Sequence, residues 1–302
     1  MQFLYLLESI RTPILDEIML LITRFGEETV FLVLALVIFW CVDKYKGYYI
    51  LGVGFIGTVL NQFLKLWFRI PRPWVIDGNF KIVEKAREAA SGYSFPSGHT
   101  QSAVGTFGAL ASVAKNNWVR WIAIAIAILV PFSRMYLGVH TPLDVFVSVA
   151  IAILLIQILK PFVLSHDHKG LPILIGIMVI IGLSFMAFVH LYRFPADIDP
   201  HNLASGYKNA YTLIGALFGM LVVYVVDEKW LHFSTEAPLW AQILKVLLGL
   251  TFVLVIKSGL KTPLNFIFGE SLGRCVRYCL IVVFAGIVWP LSFRFFKKSK
   301  AR

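Results

Sequence analysis

About nine apolar runs, most of them near 20 residues long, follow one another through this chain, with short polar turns between most of them and longer connections at 69–97 and 192–205. A backbone in lipid has to satisfy its own hydrogen bonds, and roughly 20 apolar residues make a helix long enough to cross the hydrocarbon. The runs lie near 28–42, 47–68, 98–115, 118–136, 142–164, 171–191, 206–226, 239–258 and 275–296. They predict an all-α fold, a polytopic integral membrane helical bundle of about nine spans. Composition agrees: 58% of residues are hydrophobic and 15% charged, and the mean hydropathy is +0.77, which excludes an ordinary soluble domain. The net charge of +11 then reads as Lys and Arg meeting anionic headgroups at the ends of spans. No basic surface interleaved with stacking aromatics points to nucleic acid.

Residues 1–27 differ from the rest. Apolar residues alternate with charges at helical spacing, and Glu8, Arg11, Asp16 and Glu17 interrupt the run where a cleaved signal peptide would be continuous. We expect an amphipathic segment lying in the interface, with a helix start at Thr12-Pro13. Cys41, Cys275 and Cys279 offer no disulfide framework; the last two are spaced i,i+4 and read as small buried hydrophobes.

Three stretches carry chemistry. The first is Lys65-Leu66-Trp67-Phe68-Arg69-Ile70-Pro71-Arg72-Pro73, the second Pro96-Ser97-Gly98-His99, and the third Ser133-Arg134-Met135-Tyr136-Leu137-Gly138-Val139-His140-Thr141-Pro142-Leu143-Asp144. Charged residues at a membrane boundary are costly without a partner or a task. The first stretch ends the second run and the second opens the third run, so they share a face. Two runs then separate the second stretch from the third, which returns the chain to that face.

Lys65, Arg72 and Arg134 supply three cationic donors, two of them planar forks that match phosphate oxygens. Pro71 and Pro73 fix the backbone around Arg72. The competing reading is that these side chains snorkel to headgroups. Ser97 is a natural N-cap, and the helix start behind it offers free N–H groups to an anion. Gly98 lets backbone approach a ligand closely, and His99, protonated once a phosphate arrives, can act as general acid toward a leaving oxygen. A plain serine cap with a bystander histidine is the alternative. Thr141-Pro142-Leu143-Asp144 has the form of a capping box. Asp144 could also accept from one ring nitrogen of His140 and leave the other free to attack phosphorus, or it could cap alone.

Other polar features read more simply. His166-Asp167-His168 is a solvated turn rather than a metal site, and Lys257, Lys261, Arg274 and Arg277 read as headgroup anchors. Lys and Arg counted over the loops, with the basic tail Lys297-Lys298-Ser299-Lys300 on the inner side, favour a site that faces outward. The connection 192–205, rich in Asp and Pro, could roof the site.

The order Lys65-x6-Arg72-Pro73, Pro96-Ser97-Gly98-His99, Ser133-Arg134-x5-His140-x3-Asp144 resembles the three-part signature of the type 2 phosphatidic acid phosphatase superfamily. That resemblance implies a metal-independent phosphatase, without a cofactor, working through a phosphohistidine on a lipid phosphate or pyrophosphate. It implies His140 as nucleophile, Asp144 as its orienter and His99 as general acid, with Lys65, Arg72, Ser97, Gly98 and Arg134 binding the phosphoryl group. It further implies a catalytic six-helix core over 28–191; the loop and three additional spans over 192–302 depart from the six-span layout of many bacterial members. The span layout is similar to that of glucose-6-phosphatase and the sphingosine-1-phosphate phosphatases. The expected setting is a bacterial cytoplasmic membrane, or the endoplasmic reticulum with a lumenal site in a eukaryote. Expected partners are the lipid substrate, membrane lipids and a second copy in a homodimer. A phosphatase for a soluble sugar phosphate is the alternative in the same class. An anion transporter is a distant one, since transporter sites lie near the midplane at repeat interfaces and these charges gather at one face.

Overall fold

The computed structural model of the chain describes residues 1–165 and 167–296; His166 and the tail Lys297-Lys298-Ser299-Lys300 lie outside the described residues. Among those described, all regular structure is helical. Seven stretches are long and apolar enough to cross a membrane: Lys44–Ile76, Asn117–Tyr136, Pro142–Val163, Gly170–Leu191, Pro200–Leu231, Leu239–Gly259 and Lys261–Phe296. The other two expected runs are also helical but shorter, Glu28–Cys41 with 14 residues and Gly98–Val113 with 16. The second of these buries Thr100, Gln101 and Thr106, so protein rather than lipid surrounds much of it.

The N-terminal stretch is two helices, α1 (Gln2–Ser9) and α2 (Pro13–Thr23), rather than one. Thr12 caps α2, its hydroxyl accepting from the Leu15 N–H at 3.3 Å, and Pro13 takes the first helical position. Leu6, Ile14, Ile18 and Leu21 stay exposed, an apolar face of the kind an interfacial helix turns to lipid. The chain continues through α3 (Glu28–Cys41), α4 (Lys44–Phe68), a single turn α5 (Pro73–Ile76), α6 (Gly98–Val113), α7 (Asn117–Tyr136) and α8 (Pro142–Val163). Helices α9 (Gly170–Leu191), α10 (Pro200–Val226), α11 (Leu239–Gly259) and α12 (Lys261–Val283) follow.

The residues group into two compact units. One comprises Met1–Leu32, Ile50–Pro161 and Arg193–Gly206; the other comprises Val33–Tyr49, Phe162–Tyr192 and the chain from Tyr207. In the first, α6 packs along α7, and α1 and α2 lie against α7. The long connection 69–97 is well packed. Phe80 and Ile82 bury against Leu4, while Ala86 and Ala90 bury against Tyr136, Leu137 and Val139 in the turn after α7. Gly138, with φ of +81°, closes that turn in the left-handed conformation that favours glycine. Residues 199–206 also reach the connection, where the Asp199 N–H donates to the Tyr93 hydroxyl at 3.3 Å.

In the second unit, Trp40 Nε1 donates to the Ala285 carbonyl at 2.8 Å, and a buried ion pair joins Lys44 to Asp227 at 2.6 Å. Gly215 allows α10 to meet α12 directly, since a Cβ there would lie 2.1 Å from the Cys275 carbonyl oxygen. Gly269, with φ of 77°, breaks α12 into two halves, where a single span beginning near 275 was expected. Arg277, expected as a headgroup anchor, is instead buried. The His168 ring stacks on Tyr45 with centroids 3.5 Å apart.

Candidate active site

The eight residues singled out in the sequence, Lys65, Arg72, Ser97, Gly98, His99, Arg134, His140 and Asp144, all belong to the first unit. Backbone geometry begins the assembly. Helix α4 stops because Arg69 turns left-handed, with φ of 52°, while its N–H still bonds the Lys65 carbonyl at 3.0 Å. The next carbonyl, that of Ile70, accepts from the Ser94 N–H at 2.8 Å and ties the first stretch to the run-up of the second. Lys65 adds a second tie by donating its ammonium to the Tyr93 carbonyl.

Arg72 is the clamp. Its Nε donates to the Gly92 carbonyl at 2.9 Å and its Nη2 to the Ser91 carbonyl at 2.8 Å. Its Nη1 lies 2.9 Å from both the Val139 carbonyl oxygen and His140 Nε2. One guanidinium therefore joins the first stretch to the third and to the connection that leads into the second. Because an arginine only donates, His140 Nε2 must accept, which leaves the ring proton on Nδ1.

On that side of the ring, where Nδ1 finds no hydrogen-bond partner among the described residues, stands Asp144. Its Oδ2 stands 3.4 Å from His140 Nδ1, accepts from the Ser94 hydroxyl at 2.6 Å and accepts from the Thr141 N–H at 2.8 Å. The Asp144 N–H bonds the Thr141 hydroxyl in return at 3.3 Å. The expected capping box is present at the start of α8, and its carboxylate faces the histidine as well.

Ser97 caps α6, its hydroxyl accepting from the Thr100 N–H at 3.4 Å, and its own N–H donates to the Asp144 carbonyl at 3.2 Å. The Ser148 hydroxyl lies 2.9 Å from both the Ser97 and the Asp144 carbonyl oxygens, pinning the starts of α6 and α8 together. At Gly98 the nearest atom to an added Cβ would be Asn61 Oδ1 at 3.6 Å, an ordinary contact. The surrounding protein therefore does not itself demand glycine there. His99 Nε2 is buried and finds no partner among the described residues.

Arg134 is fully buried in the last turn of α7. Its Nη1 donates to the Thr23 hydroxyl at 2.8 Å, while Nε and Nη2 find no partner among the described residues. Three buried cations thus surround a single buried carboxylate. An uncompensated buried charge costs several kcal/mol, so such a balance suits a site whose missing negative charge arrives as a ligand. His140 sits in the turn between α7 and α8, where burial, then Arg72, Arg134 and Lys65, hold its imidazole well below the usual histidine range.

Ser94, Ser148 and Thr23 were not singled out from the sequence. Ser148 carried a signal, an isolated hydroxyl four residues after Asp144 in an apolar run. Ser94, three residues before Ser97, carried a weaker one. Thr23 carried none, because its partner lies 111 positions away.

Comparison with known proteins identifies the family. The PAP2 superfamily profile matches residues 46–166, and that of the PAP2 superfamily phosphatase, transmembrane extension, matches residues 211–301. The chain is 31% identical to undecaprenyl-diphosphatase BcrC of Bacillus subtilis (strain 168), over 51% of this chain and 82% of the relative. It is 32% identical to phosphatidylglycerophosphatase B of the same organism, over 51% of this chain and 77% of the relative. Identity is 27% with a probable sphingosine-1-phosphate phosphatase of Dictyostelium discoideum, over 80% of this chain and 60% of that one. No solved structure matches the chain. With both profiles in sequence order and spanning helices throughout, the chain belongs to the PAP2 superfamily and is a multi-pass membrane phosphatase.

Proposed function

We propose that the protein removes phosphate from a lipid phosphate monoester or pyrophosphate through a covalent phosphohistidine, without a metal, at a site on the outer face of the membrane. The observation that carries the reading is the Arg72–His140–Asp144 line, with a donor on one ring nitrogen and a carboxylate beside the other. The arriving phosphoryl group takes over the Arg72 N–H and so uncovers the Nε2 lone pair. Nε2 attacks phosphorus, the P–O bond to the lipid breaks, and His99 gives the leaving oxygen its proton. Water then attacks the phosphohistidine with His99 as base, the N–P bond breaks, and inorganic phosphate leaves.

Asp144 holds the Nδ1 proton and steadies the positive ring as the bond forms. Lys65, Arg72 and Arg134, with the Ser97 hydroxyl and the Gly98 N–H at the start of α6, bind and neutralise the phosphoryl oxygens. They supply the charge that a metal ion contributes in other phosphatases, and they would repel one here. The room beside Gly98 is consistent with glycine serving ligand approach. Relatives named for undecaprenyl diphosphate, phosphatidylglycerophosphate and sphingosine-1-phosphate support a lipid substrate.

The test is phosphate release by purified protein in detergent with EDTA present. The panel holds phosphatidic acid, phosphatidylglycerophosphate, undecaprenyl pyrophosphate, sphingosine-1-phosphate and glucose-6-phosphate. Release from one or more lipids, inhibited competitively by orthovanadate, is expected. Exclusive release from glucose-6-phosphate would replace the lipid reading, and a requirement for added metal would end the metal-free one.

The depressed His140 pKa has a pH signature. The nucleophile stays unprotonated below the free-imidazole range, so kcat/KM should show no acid limb near pH 6.5 from this group. Stability moves with opposite logic. Below about pH 6.5 the unfolded chain takes up a proton at His140 that the folded chain refuses, so the folded state loses stability as pH falls through that range. Unfolding midpoints measured from pH 8 to pH 5, alongside His140→Gln, isolate the contribution. Identical pH dependence in both proteins would remove His140 as its source.

A further inference from the structure

The two buried arginines differ in what they have left to give. Every nitrogen of Arg72 is already committed to this chain, to the carbonyls of Ser91, Gly92 and Val139 and to His140 Nε2. Arg134 has one nitrogen committed, Nη1, to the Thr23 hydroxyl at 2.8 Å. Its Nε and Nη2 are buried and without partners among the described residues. Those two nitrogens share one edge of the guanidinium plane, the edge that offers two parallel N–H groups to an oxyanion. Thr23 thus grips the corner opposite the edge that stays available.

The grip is firm because α2 is itself fixed on α7. The Tyr136 hydroxyl donates to Asp16 at 2.9 Å, and Arg11 Nε donates to the Tyr136 carbonyl at 2.9 Å. Just beyond Thr23, a Cβ at Gly26 would stand 2.8 Å from the His99 carbonyl oxygen and 2.9 Å from His99 Cβ. The turn following Thr23 therefore lies directly on the helix that opens at the site. An arginine side chain loses rotamer entropy when it is held in one geometry, and a fork already restrained at one corner loses less of it on binding.

We propose that Thr23 is a positioning residue for phosphate recognition, acting through Arg134 by holding its guanidinium so that the Nε/Nη2 edge faces the phosphoryl oxygens. The proposal rests on the phosphatase reading above. It assigns the N-terminal helices, which lie outside the three-part signature, a part in building the site.

Thr23→Val keeps the volume and removes the hydroxyl; Thr23→Ser keeps the hydroxyl and removes a methyl. Both are made in the full chain, and each is measured for its orthovanadate inhibition constant, KM, kcat and thermal unfolding midpoint. Thr23→Val is expected to weaken vanadate inhibition about tenfold and raise KM with a smaller change in kcat. That tenfold change corresponds to about 1.4 kcal/mol. Thr23→Ser should stay within about twofold of the parent. A role confined to packing predicts the reverse order, with the smaller serine the worse of the two.

Equal vanadate inhibition in Thr23→Val and the parent would overturn the proposal, as would serine failing alongside valine. Should Thr23→Val not fold, Thr23→Ala against Thr23→Ser differs by the hydroxyl alone and gives the same contrast. The parent protein separates the two levels of inference. A parent that neither releases phosphate nor responds to vanadate overturns the phosphatase reading and this proposal with it, whereas an active parent with an indifferent Thr23→Val overturns this proposal alone.

Discussion

Alanine at His140 should leave a folded membrane protein whose phosphate release falls by roughly 10⁴-fold or more, to the background of the assay. The size follows from the role, because removing a nucleophile removes the route through the covalent intermediate. The fold is expected to persist. Arg72 keeps its bonds to Ser91, Gly92 and Val139 when the ring is gone, and Asp144 keeps those from Ser94 and Thr141. The check is phosphate release together with size-exclusion behaviour and unfolding midpoint. Activity within tenfold of the parent in a well-folded variant would take His140 out of the nucleophile role. Acid-labile, base-stable phosphate on the parent chain during turnover, absent from the variant, would complete the case.

Asp144→Asn should separate two duties that one side chain carries. The amide oxygen can replace Oδ2 toward the Ser94 hydroxyl and the Thr141 N–H, and Thr141 still caps α8 through its own hydroxyl. The unfolding midpoint should therefore move little. The charge beside His140 Nδ1 is lost, however, and the rate is expected to fall by about 10³-fold or more, as it does where a carboxylate orients a catalytic histidine elsewhere. Asp144→Ala keeps the Thr141 cap but removes the acceptor for the Thr141 N–H and the Ser94 hydroxyl, and should cost about 1–3 kcal/mol for each buried donor left unpaired. A near-parental rate in Asp144→Asn would leave the carboxylate with the helix cap alone.

The parts of this site legible in the sequence were those whose chemistry is local. A charged residue stands out against an apolar run. Thr141-Pro142-Leu143-Asp144 announces its own hydrogen bonds, and the succession of runs brings three stretches to one face without any coordinates. What stayed hidden depends on contacts between distant positions. Nothing in the spacing of Ser94 tells that it reaches Asp144, 50 residues on, or that Thr23 reaches Arg134. The packing of 69–97 was equally hidden, because its hydrophobics are scattered singly and find each other only around Tyr136, Leu137 and Val139. In the N-terminal run the helix start at Thr12-Pro13 was legible, whereas the separate helix before it was not. Gly269 interrupts the last span, since a lone glycine in an apolar helix signals a kink no more than it signals close packing.

The bonds made by Arg72 bear on how the protein is made. Its acceptors are the carbonyls of Ser91, Gly92 and Val139 and the ring of His140, all of which leave the ribosome after it does. The nascent chain must therefore hold Arg72 at the aqueous end of α4 while α6 and α7 are being inserted. Only when the turn after α7 has been made does the guanidinium have its full set of acceptors, His140 among them, so the three stretches can close on one another only once the chain reaches the start of α8.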